Sequence, residues 1–187
     1  TKISEFDDII KTCHEKQIFS FDTETDSTDP ITSNLVGISF SLDKNTAFYI
    51  PINHKKIDSE IDLKHIVTSL KKLFKEKNIT IVGQNIKYDM NVLYKYGIDV
   101  DCNIQDTMLM SYVLDSSGKH DLDTLAEKHL NVKTIKYEEV VGKGKKQLVL
   151  SDLPAEDVYR YACEDADIAL KLYYYFENKL NELKDQM

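Results

Sequence analysis

The sequence predicts an α/β domain built on a mixed five-stranded sheet flanked by helices. Three observations carry that prediction. Two β-rich runs joined by a short polar turn imply an antiparallel hairpin near the start. Further short apolar strands then alternate with helical patterns, which sets helices against a sheet. A long amphipathic helix closes the chain. The 187 residues, 42% of them apolar, suffice for one sizeable core and not comfortably for two, so a single domain over 1–187 is expected.

Each element has its own signal. Ile18–Asp22 reads as a strand, with Phe19 and Phe21 on one face and Ser20, Asp22 and then Glu24 on the other. Leu35–Leu42 and Thr46–Ile52 form the hairpin around Asp43-Lys44-Asn45. Ile61–Lys77 sets Ile61, Ile66, Leu70, Leu73 and Phe74 at helical spacing. Thr80–Val82 is a short buried strand ending at Gly83. Asn85 can cap the next helix, which carries Met90, Val92, Leu93 and Tyr96 and stops at Gly97. A strand at Asn103–Gln105 precedes a helix over Thr107–Leu114, and Leu122–Leu130 is a further short helix. Tyr137–Gln147 reads as a loop whose basic run, Gly142 to Lys146, is a solvated turn. From Pro154, a good first helical residue, a long helix runs toward Leu183.

Composition narrows the function classes. A net charge of −8 argues against a protein that coats DNA non-specifically, and leaves room for a local nucleic-acid site. Cys13, Cys102 and Cys163 are isolated, a spacing poor for zinc or a disulfide framework and suited to a reducing cytoplasm. No run approaches a membrane span and no signal peptide is visible. The chain starts at Thr1 rather than Met, as expected of a piece of a longer protein.

The acidic residues pose the chemical question. Asp22, Glu24 and Asp26 stand at alternate positions after an apolar run, and neighbouring like charges cost stability. A solvated acidic strand end accounts for this; so does a bound cation. Asp89 falls early in a helix that follows a strand, where it complements the helix dipole or faces the strand ends where ligands collect. Tyr161 and Asp165 are four apart on the last helix, on a stripe with Val158, Ala162, Ala169 and Leu172, where an unpaired acid is costly. Glu164 and Asp167 point elsewhere and are expected to be solvated. Four acids from three segments, each at the edge of an apolar element, permit a site in which hard divalent cations take oxygen ligands and act on a phosphodiester.

The segments "FSFDTETDS", "VGQNIKYDMNVL", "KHDLDTLAEKHL", "YEEVVGKGKKQL" and "YRYACEDADIAL" resemble, in order, the motifs of the 3′→5′ proofreading exonuclease domain of bacterial DNA polymerase I. This family belongs to the DEDD exonucleases, with a ribonuclease-H-like fold, and the spacing of Tyr161 and Asp165 is similar to its tyrosine-bearing branch. The resemblance implies two divalent ions, Mg²⁺ or Mn²⁺. Asp22 would bridge them, Glu24 and Asp165 would complete the tighter site, and Asp89 would support the second, partly through water. Tyr161 would orient the attacking water. It further implies hydrolysis of the terminal phosphodiester at a single-stranded or frayed 3′ end of DNA, releasing deoxynucleoside 5′-monophosphates.

The resemblance also suggests substrate contacts. Gln84, Asn85 and Tyr88 would hold the terminal nucleotides, with turn and cap roles equally open for Gln84 and Asn85. Lys119 stands where the family often has an arginine near the phosphates, keeping the charge without the bidentate fork. Tyr137 would stack on a base or anchor its loop. Thr28 departs from the apolar residue that often wedges against the terminal base. A polymerase domain in a longer chain, a cytoplasmic location, a monomeric isolated domain and no membrane partner are expected. The alternatives are a non-catalytic exonuclease-like scaffold, which these acids and Tyr161 count against, and an exoribonuclease of the same superfamily.

Overall fold

Phenylalanine and isoleucine on alternate positions give the sheet one mainly apolar face. The structure, a computed structural model, describes residues 2–55 and 62–185. Its strands are β1 (Ile18–Thr25), β2 (Leu35–Asp43), β3 (Thr46–Pro51), β4 (Thr80–Gly83) and β5 (Asn103–Asp106), in the order β3-β2-β1-β4-β5. The hairpin β2–β3 and the pair β1–β2 are antiparallel, whereas β1–β4 and β4–β5 are parallel. The sheet is thus mixed and five-stranded, as the sequence predicts, and β1 is its middle strand.

The register sorts β1–β3 into two unlike faces. Phe19, Phe21, Ile38, Phe40 and Ile50 share a core with Phe6, Ile9 and Cys13 of α1 (Ile3–Lys16) and with Ile66, Leu70 and Leu73 of α2 (Leu63–Leu73). The other face carries Ser20, Asp22 and Glu24 on β1, opposite Ser41, Ser39 and Gly37 on β2. Across that face packs α7 (Ala155–Lys184), against β1, β2 and β3. Its Ala162, Ala166 and Ala169 are buried, and the Ser20 hydroxyl donates to the Ala166 carbonyl (2.5 Å). Small side chains on both surfaces let the helix backbone come close to the sheet.

Several expectations need correction. The strand at Ile18 runs on to Thr25, so Asp22 and Glu24 lie within it rather than at its end; pairing with β2 continues past them. The helix expected over Ile61–Lys77 spans Leu63–Leu73, capped by the Asp62 carboxylate on the His65 N–H (2.6 Å); Ile61 lies outside the described residues. The segment Leu122–Leu130 divides into a short α5 (Leu122–Leu125) and a π-helical turn, Ala126–Leu130. Tyr137–Gln147 is not a loop throughout: Tyr137–Val141 is a helix, α6, with buried Val141 as its anchor, and Gly144–Lys146 is an exposed 3₁₀ turn. The N-terminal helix α1 has no counterpart among the predicted elements. The helices α3 (Lys87–Tyr94) and α4 (Thr107–Leu114) follow β4 and β5 as expected. No helix of the described residues is long and apolar enough to cross a membrane.

Candidate active site

β1 outruns its neighbour β4. Only Ile18, Phe19 and Ser20 pair with Thr80, Ile81 and Val82, which leaves the β4 side of Phe21–Thr25 without a strand. Helix α3 covers that overhang. The Asp89 carboxylate accepts from the Thr23 backbone N–H (2.9 Å) and from its hydroxyl (2.5 Å), and the Tyr88 hydroxyl meets Thr25 Oγ1 (2.6 Å). Asp89 is only 2% exposed, and these bonds aim it at the acid-bearing end of β1.

The opposite wall comes from α7. Asp22, Glu24 and Asp165 each place a carboxylate oxygen within 4.8 Å of the others. Glu24 is 6% exposed, and its Oε1 is buried with no hydrogen-bond partner among the described residues. Three carboxylates at such distances repel strongly in a poorly solvated site. Burial, then the charge of Asp165, pushes Asp22 up to about 8. Burial pushes Asp165 up to about 7, with the Tyr161 hydroxyl pulling the other way. Glu24 and Asp89 are held well above the usual carboxylate range, burial again leading and Asp22's charge next. An all-oxygen donor set with an orphaned buried carboxylate oxygen fits a hard divalent cation; no lysine or arginine forms an ion pair with any of the four among the described residues.

A cleft of about 310 Å³ opens over this cluster, lined by the four acids together with Tyr161, Tyr137, Tyr88, Asn85, Gln84 and Thr28. The Tyr137 and Tyr161 rings meet edge to face, 6.3 Å between centroids. Burial, then the charges of Asp165, Glu24 and Asp22, raises the Tyr161 hydroxyl far above its ordinary value. The Gln84 amide is already engaged, donating to the His120 carbonyl (2.6 Å) and accepting from the Thr107 hydroxyl (2.5 Å). Lys119 does not line this cleft. It lines a separate cavity with His120, Leu125 and Tyr175.

Asn85 does not cap α3. It sits in the left-handed region (φ 56°), and the Asp106 carboxylate takes the N–H groups of Asn85 (3.0 Å) and Ile86 (3.2 Å) as well as that of Met108 (2.9 Å). Asp106 was missed, although an acid directly before an apolar helix is a cap signal. Asp26, third in the acidic run, is spent on Asn34, accepting from its N–H (2.7 Å) and its amide (2.8 Å). Glu164 and Asp167 are half-buried rather than solvated. Glu164 accepts from the Ile135 N–H (2.6 Å), and Asp167 accepts from the Asn45 N–H (2.7 Å) and pairs with Lys171 (2.5 Å).

A mixed sheet in this order, with acids from β1, α3 and α7 gathered at one cleft, defines a domain of the ribonuclease-H-like fold. Solved structures share the fold: the EXO domain of Aedes aegypti Nibbler has a TM-score of 0.72 at 16% identity, covering 97% of this chain and 87% of that one. Brucella melitensis NrnC, solved with bound Mg²⁺, has a TM-score of 0.66 at 20% identity, covering 89% of this chain and 74% of its own. The chain belongs to the 3′–5′ exonuclease family, whose model matches residues 1–181. It is similar to DNA polymerase I of Borreliella burgdorferi, 40% identical over 185 residues and 98% of this chain, and of Pseudomonas aeruginosa, 38% identical over 183 residues and 95% of this chain. It spans about a fifth of the length of these relatives, 20% in each case, and corresponds to their 3′–5′ exonuclease domain.

Proposed function

We propose that this domain hydrolyses the terminal phosphodiester at a single-stranded or frayed 3′ end of DNA and releases deoxynucleoside 5′-monophosphates, as the proofreading unit of a longer polymerase chain. The observation that carries the reading is the convergence of Asp22, Glu24 and Asp165 within 4.8 Å beside an unpartnered Glu24 oxygen. In this reading Asp22, Glu24 and Asp165 would hold one divalent cation, and Asp22 with Asp89 would support a second. Mg²⁺ or Mn²⁺ bound there would lower the pKa of a water and offset charge on the phosphate oxygens. Asp89 keeps one oxygen on Thr23, which leaves the other for the cleft.

Tyr161 stays protonated at neutral pH, since its hydroxyl is raised from an already high value. It therefore orients the attacking water by a hydrogen bond and does not take its proton. Tyr137, Tyr88, Asn85 and Thr28 form the mouth where the last nucleotides lie, with Tyr137 offering a ring for a base. Gln84, fixed by His120 and Thr107, shapes that mouth. Thr28 gives it a polar rim in place of an apolar wedge.

The test is degradation of a 5′-labelled single-stranded DNA with Mg²⁺ or Mn²⁺, against a chelator control and a matched RNA strand. A metal-dependent ladder shortening from the 3′ end of DNA is expected. Faster loss of RNA would assign an exoribonuclease, and no loss of either strand would assign a scaffold.

A further inference from the structure

Glu24 pairs across the sheet with Gly37, and Tyr49 on β3 stands opposite Ser39 in the Asp22 row. The Tyr49 ring runs into the space Gly37 leaves: a methyl built on Gly37 would lie 2.0 Å from Tyr49 Oη. Tyr49 thus occupies the acid-bearing face beside Glu24, near enough that the Glu24 charge, after burial, raises its hydroxyl. Its direction is fixed from behind. His54 Nδ1 lies 2.9 Å from the Leu153 carbonyl, which can only accept, so Nδ1 carries the proton and Nε2 is the acceptor. The Tyr49 hydroxyl then donates to Nε2 (2.7 Å) and not to Glu24.

The same clamp holds the approach to α7. Beside His54, the Lys55 N–H donates to the Ser151 carbonyl (3.0 Å) and its ammonium pairs with Asp152 (2.7 Å). Leu150, just ahead, is buried and lines the acid cleft. Tyr161 and Asp165 stand within the first three turns of the helix that follows. Because Glu24 Oε1 has no bonding partner among the described residues, packing does much to set its direction, and a mobile wall there would blur it.

We propose that Tyr49 and His54 are positioning residues for the carboxylate cluster: the pair walls Glu24 over Gly37 and seats the segment that delivers Tyr161 and Asp165. The proposal rests on the metal-dependent nuclease reading. The test compares the whole chain with its Tyr49→Phe and His54→Asn variants by Mn²⁺ calorimetry without DNA, by kcat and KM on single-stranded DNA at graded Mg²⁺, and by thermal unfolding. Tyr49→Phe keeps the ring, so the fold survives. Both variants should lose about 10-fold in Mn²⁺ affinity and need correspondingly more Mg²⁺, with KM for DNA held within about twofold, as for other residues that orient metal ligands. Gly37→Ala, which displaces Tyr49 from the other side, should reproduce the defect. An active parent whose variants bind Mn²⁺ normally, even if they melt earlier, overturns the positioning role and leaves the nuclease reading intact. A parent that neither binds Mn²⁺ nor cuts DNA overturns both.

Discussion

Asp22 is the residue on which the proposed chemistry turns, since it faces Glu24, Asp165 and Asp89 together. Asp22→Ala should lower single-turnover cleavage on the order of 10³-fold, the equivalent of several kcal/mol of lost charge stabilisation. Retention of near-parental rates would remove its bridging role. Tyr161→Phe should fold normally, bind Mn²⁺ as the parent does and cut about 10²-fold more slowly, the scale of a misplaced reacting group; an unchanged rate would show that its hydroxyl does not hold the water. The same cluster makes a pH prediction. These acids are protonated more readily in the folded chain than in the unfolded one, so the unfolded chain releases protons first as pH rises. Without metal, stability should therefore fall between the ordinary carboxylate range and about pH 8, the window set by Asp22 and Asp165 at about 8 and 7. Thermal unfolding from pH 4.5 to 8.5, with and without Mn²⁺, checks this: the melting temperature without metal should drop, and the gain from Mn²⁺ should grow with pH, as orders of effect set by linkage.

At the scale of elements, the seat of α7 decides whether Asp165 reaches β1. Ala166 lies against Ser20 through a carbonyl–hydroxyl bond, so Ala166→Leu should cost about 1–3 kcal/mol by overpacking and should also weaken Mn²⁺ binding by lifting Asp165 away. Lost stability with unchanged metal affinity would show that the helix seat and the acid site are independent. This coupling explains which parts were legible in the sequence. The alternation of Phe19, Phe21 with Ser20, Asp22 and Glu24 is a local, period-two signal, and it placed the acids on one face. The hairpin, the strand–helix alternation and the Tyr161–Asp165 spacing were legible for the same reason. The Asn85 cap was misread because its rival, Asp106, is 21 residues away and wins only through the parallel pairing of β4 with β5. The anchoring of half-buried Glu164 and Asp167 rests on partners far along the chain, Ile135 and Asn45. Helix α6 is five residues long, too short for its spacing to stand out.

Taken whole, the molecule opens a cleft of about 310 Å³ over the acids of β1, with tyrosines in its lining. In the proposed reading the last bases leave their stack to bring the terminal phosphodiester over the acids, at a cost of a few kcal/mol for a duplex. Cleavage of a blunt duplex should be clearly slower than that of the same strand alone, with mismatched ends between them; equal rates in a gel assay would contradict the frayed-end picture. The two faces of β1 also divide the labour of the sequence. The phenylalanine face holds the fold together, while on the other face, beneath the seat of α7, the crowded carboxylates of Asp22, Glu24 and Asp165 work against it. Replacing Asp22, Glu24 or Asp165 by its amide should therefore make the chain sturdier at neutral pH, whereas losing Asp89 also costs its two bonds to Thr23. A lineage with no use for the proposed chemistry would meet no folding barrier to losing Asp22, Glu24 and Asp165, and would keep an intact but silent domain in the same place.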